Sequence, residues 1–177
     1  MSGRLRIRHA ILDDLPALTD IYNHYVRSTP ITFDLEEFTV EGRRPWFDHH
    51  SPVGRHQLLV ADDAGRVLGY AGTGPFRAKQ AYETSVEMSI YVAPDATGRG
   101  IGTALYEELF PLLAKEDVHR ALAGITVPNP ASIALHARFG FVQVAHFTEN
   151  GRKLGRFWDV VWMEKSIAGA TGDRGTT

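Results

Sequence analysis

Val86-Glu87-Met88-Ser89-Ile90-Tyr91-Val92-Ala93-Pro94 runs into Asp95-Ala96-Thr97-Gly98-Arg99-Gly100-Ile101-Gly102-Thr103, an alternating apolar stretch followed by three glycines at every second position. Val86, Met88, Ile90 and Val92 alternate with Glu87, Ser89 and Tyr91, which predicts a half-buried strand that Pro94 closes. From Thr103 to Lys115, Leu105, Leu109, Leu112 and Leu113 share one helical face, and Pro111 should kink or shorten that helix. A glycine-rich turn from strand to helix suits an anion. The helix N-terminus offers unpaired N–H groups and about half a positive charge, and residues without a Cβ let a phosphate approach the backbone.

Upstream, Leu5 and Ile7 alternate with Arg4, Arg6 and Arg8, which reads as a first strand with a basic outer face. A helix follows, capped by Asp13 or Asp14, with Pro16 in its first turn and Leu15, Leu18, Ile21, Tyr22, Tyr25 and Val26 at helical spacing. Ser28 to Phe33 breaks the pattern before a weaker helix around Val40 to His50. Gln57 to Ala61 and Val67 to Thr73 form a hairpin about Asp62-Asp63-Ala64-Gly65-Arg66, ended by Gly74-Pro75. Downstream come a strand from Ala121 to Val127 and a short helix opened by Asn129-Pro130 and stopped by Gly140. Two last strands, Phe141 to Ala145 and Phe157 to Met163, are joined by a glycine-containing connection. Residues 1–167 thus read as a single α/β (α+β) domain with a mixed sheet, and the small, polar stretch 168–177 reads as a disordered tail.

A chain of 177 residues fits one ordinary domain. With 19 basic and 21 acidic side chains the net charge is −2, so no global field attracts nucleic acid or an anionic membrane. The Arg-rich first strand alone is weak support for a nucleic-acid-binding reading. The absence of cysteine excludes disulfides, thiolate catalysis and Cys-based zinc sites. No apolar stretch reaches the roughly 18 residues of a membrane span, and the N-terminus lacks a signal peptide's apolar core, so a cytoplasmic location is expected.

The glycines do not make a P-loop, which needs a Lys-Ser/Thr ending, and Thr103 stands where a dinucleotide fingerprint needs its last glycine. Strand 86–92, Pro94, Gly98-Arg99-Gly100-Ile101-Gly102-Thr103 with its helix, and Asn129-Pro130-Ala131-Ser132 leading to Gly140-Phe141 resemble the GNAT superfamily of N-acetyltransferases. Within it, the chain resembles the phosphinothricin and methionine sulfoximine acetyltransferase group. The matching segments are Ile21-Tyr22-Asn23-His24-Tyr25, Ser28-Thr29, Thr32-Phe33, Pro75-Phe76-Arg77-Ala78-Lys79, Tyr82, Val86-Glu87 and Ile133-Ala134-Leu135-His136. Thr97 departs from the Gln or Arg usual in the superfamily's loop.

That resemblance implies a mixed, mostly antiparallel central sheet flanked by helices, and acetyl-CoA as co-substrate. It further implies transfer of acetyl to the α-amino group of a small amino-acid-like toxin, which detoxifies it. The amides of Gly98, Arg99, Gly100, Ile101, Gly102 and Thr103 would hold the pyrophosphate. Backbone groups of Ile90, Tyr91 and Val92 would hold the pantetheine arm and acetyl carbonyl, with Asn129 on the arm and Arg138 near the nucleotide. Asn129 reads equally as a helix cap. Attack by a neutral amine needs a proton acceptor, for which Glu87 is the candidate and Glu83 the fallback; the bland alternative is a solvated strand glutamate. His136, where many relatives carry tyrosine, is a candidate acid for the departing thiolate or else a helix-surface histidine.

Arg77 and Lys79, two apart, project the same way in extended backbone and could hold two anionic groups, or else be solvated loop charges; the resemblance implies that with Tyr82 they clamp the acceptor and that Phe33 supplies an apolar wall. The remaining histidines, including His49-His50, show no metal-ligand spacing, and no metal is assigned. Other readings stay open: a related enzyme acting on a peptide N-terminus or polyamine, or a non-catalytic acetyl-CoA-binding module. Phe157-Trp158 and Trp162 suit either a homodimer interface or the core.

Overall fold

The computed structural model describes residues 5–167, so Arg4 of the first expected strand and the tail 168–177 lie outside the described residues. The elements are β1 (Arg6–His9), α1 (Leu15–Ser28), α2 (Val40–Asp48), β2 (Leu58–Asp63), β3 (Arg66–Pro75), β4 (Ser85–Val92), α3 (Ile101–Leu113), β5 (Arg120–Val127), α4 (Pro130–Arg138), β6 (Val142–Lys153) and β7 (Arg156–Ser166). Among the described residues the strands form one sheet in the order β1-β2-β3-β4-β5-β7-β6. Every neighbouring pair is antiparallel except β4 and β5, which run parallel. The mixed, mostly antiparallel sheet is therefore present.

Successive residues of β4 face opposite sides, and the two sides carry different helices. Val92 lies opposite Gly69, where the missing side chain lets Ile101 of α3 approach: a Cβ there would stand 3.2 Å from Ile101 Cγ2 and 2.9 Å from Tyr91 O. Tyr91 points the other way, its ring 5.0 Å from that of Tyr22 and 5.3 Å from that of Tyr25 on α1. Leu105, Leu109 and Leu113 of α3 are 0% exposed, each contributing about 1.5–3 kcal/mol of burial free energy. Pro111 sits in the last turn of α3 and the helix ends at Leu113, two residues short of Lys115, because proline gives Glu107 no N–H to accept.

Two local expectations are corrected. Asp14 occupies the N-cap of α1 but does not cap it; its carboxylate accepts from the Arg8 guanidinium at 2.7 and 2.8 Å and from Ile11 N at 2.8 Å. Arg8 also bonds Asp62 at 3.0 Å, so the Arg8 charge on the outer face of β1 is neutralised in place. The last hairpin is much longer than expected: β6 continues through Lys153 and only Leu154-Gly155, at φ +51° and +76°, form the turn. β6 is the sheet's edge strand, almost wholly exposed, so its sequence lacks the apolar alternation that marks a strand.

Candidate active site

β4 and β5 pair only at Ser85↔Arg120, Val86↔Ala121 and Glu87↔Leu122; beyond Glu87 they separate, while β4 stays on β3 and β5 on β7. The alternation of hydrogen-bonded pairs decides which backbone groups face the gap. Ala93 N donates to Leu68 O at 2.8 Å, so Tyr91 and Ser89 also bond toward β3, and Met88 and Ile90 direct their N–H and C=O into the gap. On β5, Ile167 N donates to His119 O at 3.1 Å, which by the same rule turns Gly124 and Thr126 toward β4. The result is a groove floored by unpaired peptide groups in the middle of a sheet. Its two halves, of about 380 Å³ and 560 Å³, share Ile31, Ile90, Asn129 and Ser132.

The larger half contains the glycine turn. Gly98 at φ +74° and Gly100 at φ +76° occupy left-handed backbone, where a side chain costs roughly 1–2 kcal/mol per residue. Gly100 is the N-cap of α3 and no side chain caps the helix. The N–H groups of Ile101, Gly102 and Thr103 therefore precede the first intrahelical bond, Ala104 N to Gly100 O at 3.0 Å. Gly102 has a different role: a Cβ there would meet Leu135 Cδ2 at 2.9 Å and Ile90 Cδ1 at 3.3 Å, so glycine lets α4 close on α3. Arg99 does not line this half, its guanidinium standing 3.9 Å from Asp63. Arg138 lines the far end, and Thr97 lines the turn while its hydroxyl donates to Pro94 O at 3.1 Å. Asn129 caps α4, accepting from Ser132 N at 3.2 Å, and lines both halves.

Glu87 lies in the smaller half at the point where the strands part. Burial pushes its carboxyl above the usual range, the nearby Arg77 charge opposes that, and no hydrogen bond to it is present among the described residues. Arg77 stays at the rim, its guanidinium 4.4 Å from the Phe76 ring and 5.9 Å from that of Trp162. The backbone bends at Ala78 and Lys79 rather than running extended, so Arg77 and Lys79 do not project together. Lys79 and Tyr82 line neither half; Tyr82 packs edge-on against Phe76 at 5.9 Å. Phe33 does line this half.

His136 lines the smaller half but is only 2% exposed, so it is no helix-surface residue. Its Nδ1 lies 2.8 Å from Ser132 O, a carbonyl that can only accept, so Nδ1 carries the proton and Nε2 accepts from Tyr106 OH at 2.9 Å. Burial lowers its pKa, and protonating Nε2 would take away the acceptor of a fully buried tyrosine hydroxyl. This geometry holds the ring neutral and supports an anchor between α3 and α4 rather than an acid.

Several lining residues escape a reading of the sequence. Tyr91 gives its amide to β3, and the peptide groups free in its place belong to Met88. Gly124 inside a strand was a signal of close approach, and Trp162 fills that space, 3.1 Å from where a Cβ would stand. Asn150 and Thr126 carry no such signal.

Residues 18–141 match the Acetyltransferase (GNAT) family. A phosphinothricin N-acetyltransferase of Streptomyces coelicolor is 56% identical over 168 residues, spanning 94% of this chain and 98% of that protein. An L-methionine sulfoximine/L-methionine sulfone acetyltransferase of Pseudomonas paraeruginosa is 35% identical over 161 residues, 91% of this chain and 94% of that one. The crystal structure of a GNAT superfamily phosphinothricin acetyltransferase from Sinorhizobium meliloti in complex with acetyl-CoA superposes with a TM-score of 0.89 at 32% identity, covering 97% of this chain and 93% of that chain. Sequence and fold agree over nearly the whole length, and this chain belongs to the acetyltransferase (GNAT) family.

Proposed function

We propose that the chain acetylates the α-amino group of a small amino-acid analogue, phosphinothricin or methionine sulfoximine, with Glu87 as general base. The observation that carries the reading is the unpartnered Glu87 carboxylate, set where β4 and β5 part, in one groove with the N–H cradle of α3. The amides from Gly98 to Thr103 hold the pyrophosphate of acetyl-CoA, Ile90, Met88 and Asn129 hold its pantetheine arm, and Arg138 meets the nucleotide end. Acetyl-CoA supplies the activated acetyl group. The acceptor nitrogen bonds to the acetyl carbon, the carbon–sulfur bond breaks, CoA leaves as thiolate and the amine proton passes to Glu87. A positioned base of this kind accounts for about 10²–10⁴ in rate, and its raised pKa makes it a stronger proton acceptor than a solvated carboxylate. Arg77 at the rim attracts the acceptor's anionic group, and His136 serves as an anchor.

Loss of the amine's charge disarms an amino-acid mimic, and the use of acetyl-CoA supports a cytoplasmic location. The exposed apolar residues of the last hairpin, Val142 (60%), Val144 (51%), Phe147 (46%) and Phe157 (54%), support a homodimer through that hairpin. The test is thiol release from acetyl-CoA with phosphinothricin, methionine sulfoximine, a polyamine and a peptide as acceptors. Release with the first two and loss of about 10²–10⁴ in kcat in Glu87→Gln, at unchanged acetyl-CoA affinity, are expected. No release with any amino-acid analogue overturns the substrate assignment.

A further inference from the structure

The last hairpin reaches across the groove to the segment between α1 and α2. Lys153, at the end of β6, is buried, and its ammonium donates to Thr32 O at 2.7 Å and Tyr25 O at 3.4 Å. Two positions earlier, Gly151 seats the Phe33 ring: a Cβ on Gly151 would overlap it, with Cδ2 at 2.6 Å. From the other side the Thr32 hydroxyl meets Tyr22 OH at 2.7 Å. Ile31, Thr32 and Phe33 wall the smaller half of the groove, and Asn150 closes the same wall from β6. A buried ammonium held by carbonyls is costly to strand, so Lys153 ties the wall down only while Thr32 O stays in reach.

We propose that Gly151 and Lys153 are specificity-determining residues that latch the Ile31-Thr32-Phe33 wall to β6 and so fix the size of acceptor the smaller half admits. The inference rests on that half being the acceptor site. Gly151 sets where the Phe33 ring stands, and Lys153 sets where the backbone carrying it stands. Gly151 and Lys153 line neither half; Thr32 and Phe33, which they hold, wall only the smaller half, while Ile31 lines both, so the latch acts first on the acceptor.

Gly151→Ala, Phe33→Ala, the double variant and Lys153→Met are compared by steady-state kinetics with phosphinothricin and with a bulkier amino acid such as tryptophan. Alongside, amide hydrogen exchange of residues 29–35 is followed in the protein without acceptor. Gly151→Ala is expected to raise acceptor KM about tenfold at unchanged acetyl-CoA Kd. Adding Phe33→Ala should cancel the effect, because the clash partner is gone. Lys153→Met should speed exchange at Ile31 to Phe33, with α3 unchanged, and narrow the preference between the two acceptors. Additive effects of Gly151→Ala and Phe33→Ala, with exchange unaltered by Lys153→Met, overturn the latch. Wild-type protein that acetylates neither acceptor while the exchange change persists overturns the acceptor reading and leaves the mechanical latch standing.

Discussion

Glu87 carries opposite consequences for stability and for rate. Its folded pKa lies above the unfolded value, so between the two values the folded state binds more protons. Its contribution to stability is therefore present below the unfolded pKa and is lost as pH rises through the folded one. Glu87→Gln is expected to melt higher than wild type by calorimetry at pH 8, even as turnover collapses. The acid limb of kcat/KM should follow the same group. Because Arg77 lowers the Glu87 pKa, Arg77→Ala should move that limb to higher pH, and a limb that stays in place or moves down removes Glu87 as the titrating base. His136 is separable by stability. Tyr106→Phe leaves buried Nε2 without its hydrogen-bond donor and should cost about 1–3 kcal/mol in denaturant unfolding while turnover per folded molecule is kept. Lost turnover at unchanged stability would return an acid role to His136.

At the scale of elements, the glycine turn and the start of α3 show what a sequence discloses readily. Every residue of the cradle lies in one stretch, and positive φ at Gly98 and Gly100 is the geometry that glycine signals. The helix cap at Asn129 and the left-handed Gly140, at φ +84°, were legible for the same local reason. Asp14 and the far part of β6, from His146 to Lys153, were not. The first is captured by Arg8 from a neighbouring strand, and the second owes its strand to pairing with β7 rather than to its own pattern. The glycines also divide by mechanism, which variants can resolve. Gly100→Ala should cost roughly 1–2 kcal/mol through backbone strain alone. Gly102→Ala should cost about 1–3 kcal/mol by driving α4 off α3, and should weaken acetyl-CoA binding measured by calorimetry.

For the whole molecule, the parallel β4–β5 pair within an otherwise antiparallel sheet decides where ligands go, and it follows from the α3 crossover that the leucine pattern announced. The exposed apolar residues of the last hairpin give a further expectation: light scattering should report a dimer, and Phe147→Lys with Phe157→Lys, one on each side of the hairpin, should yield a folded monomer. The acceptor half was the least legible part, because Thr32 and Lys153 meet across 121 positions and nothing in a polar edge strand marks a buried lysine. That separation divides the two halves of the groove between different regions of the gene. Most of what lines the donor half falls between Ile90 and Arg138, whereas the wall that selects a guest joins Tyr22 to Phe33 with Asn150 to Trp162. On the ribosome, most residues of the donor half emerge before Asn150 to Trp162, so the smaller half is the last part of the groove to be completed. Substitutions confined to the outer regions would reshape the smaller half while the glycine turn and α4 keep their sequence.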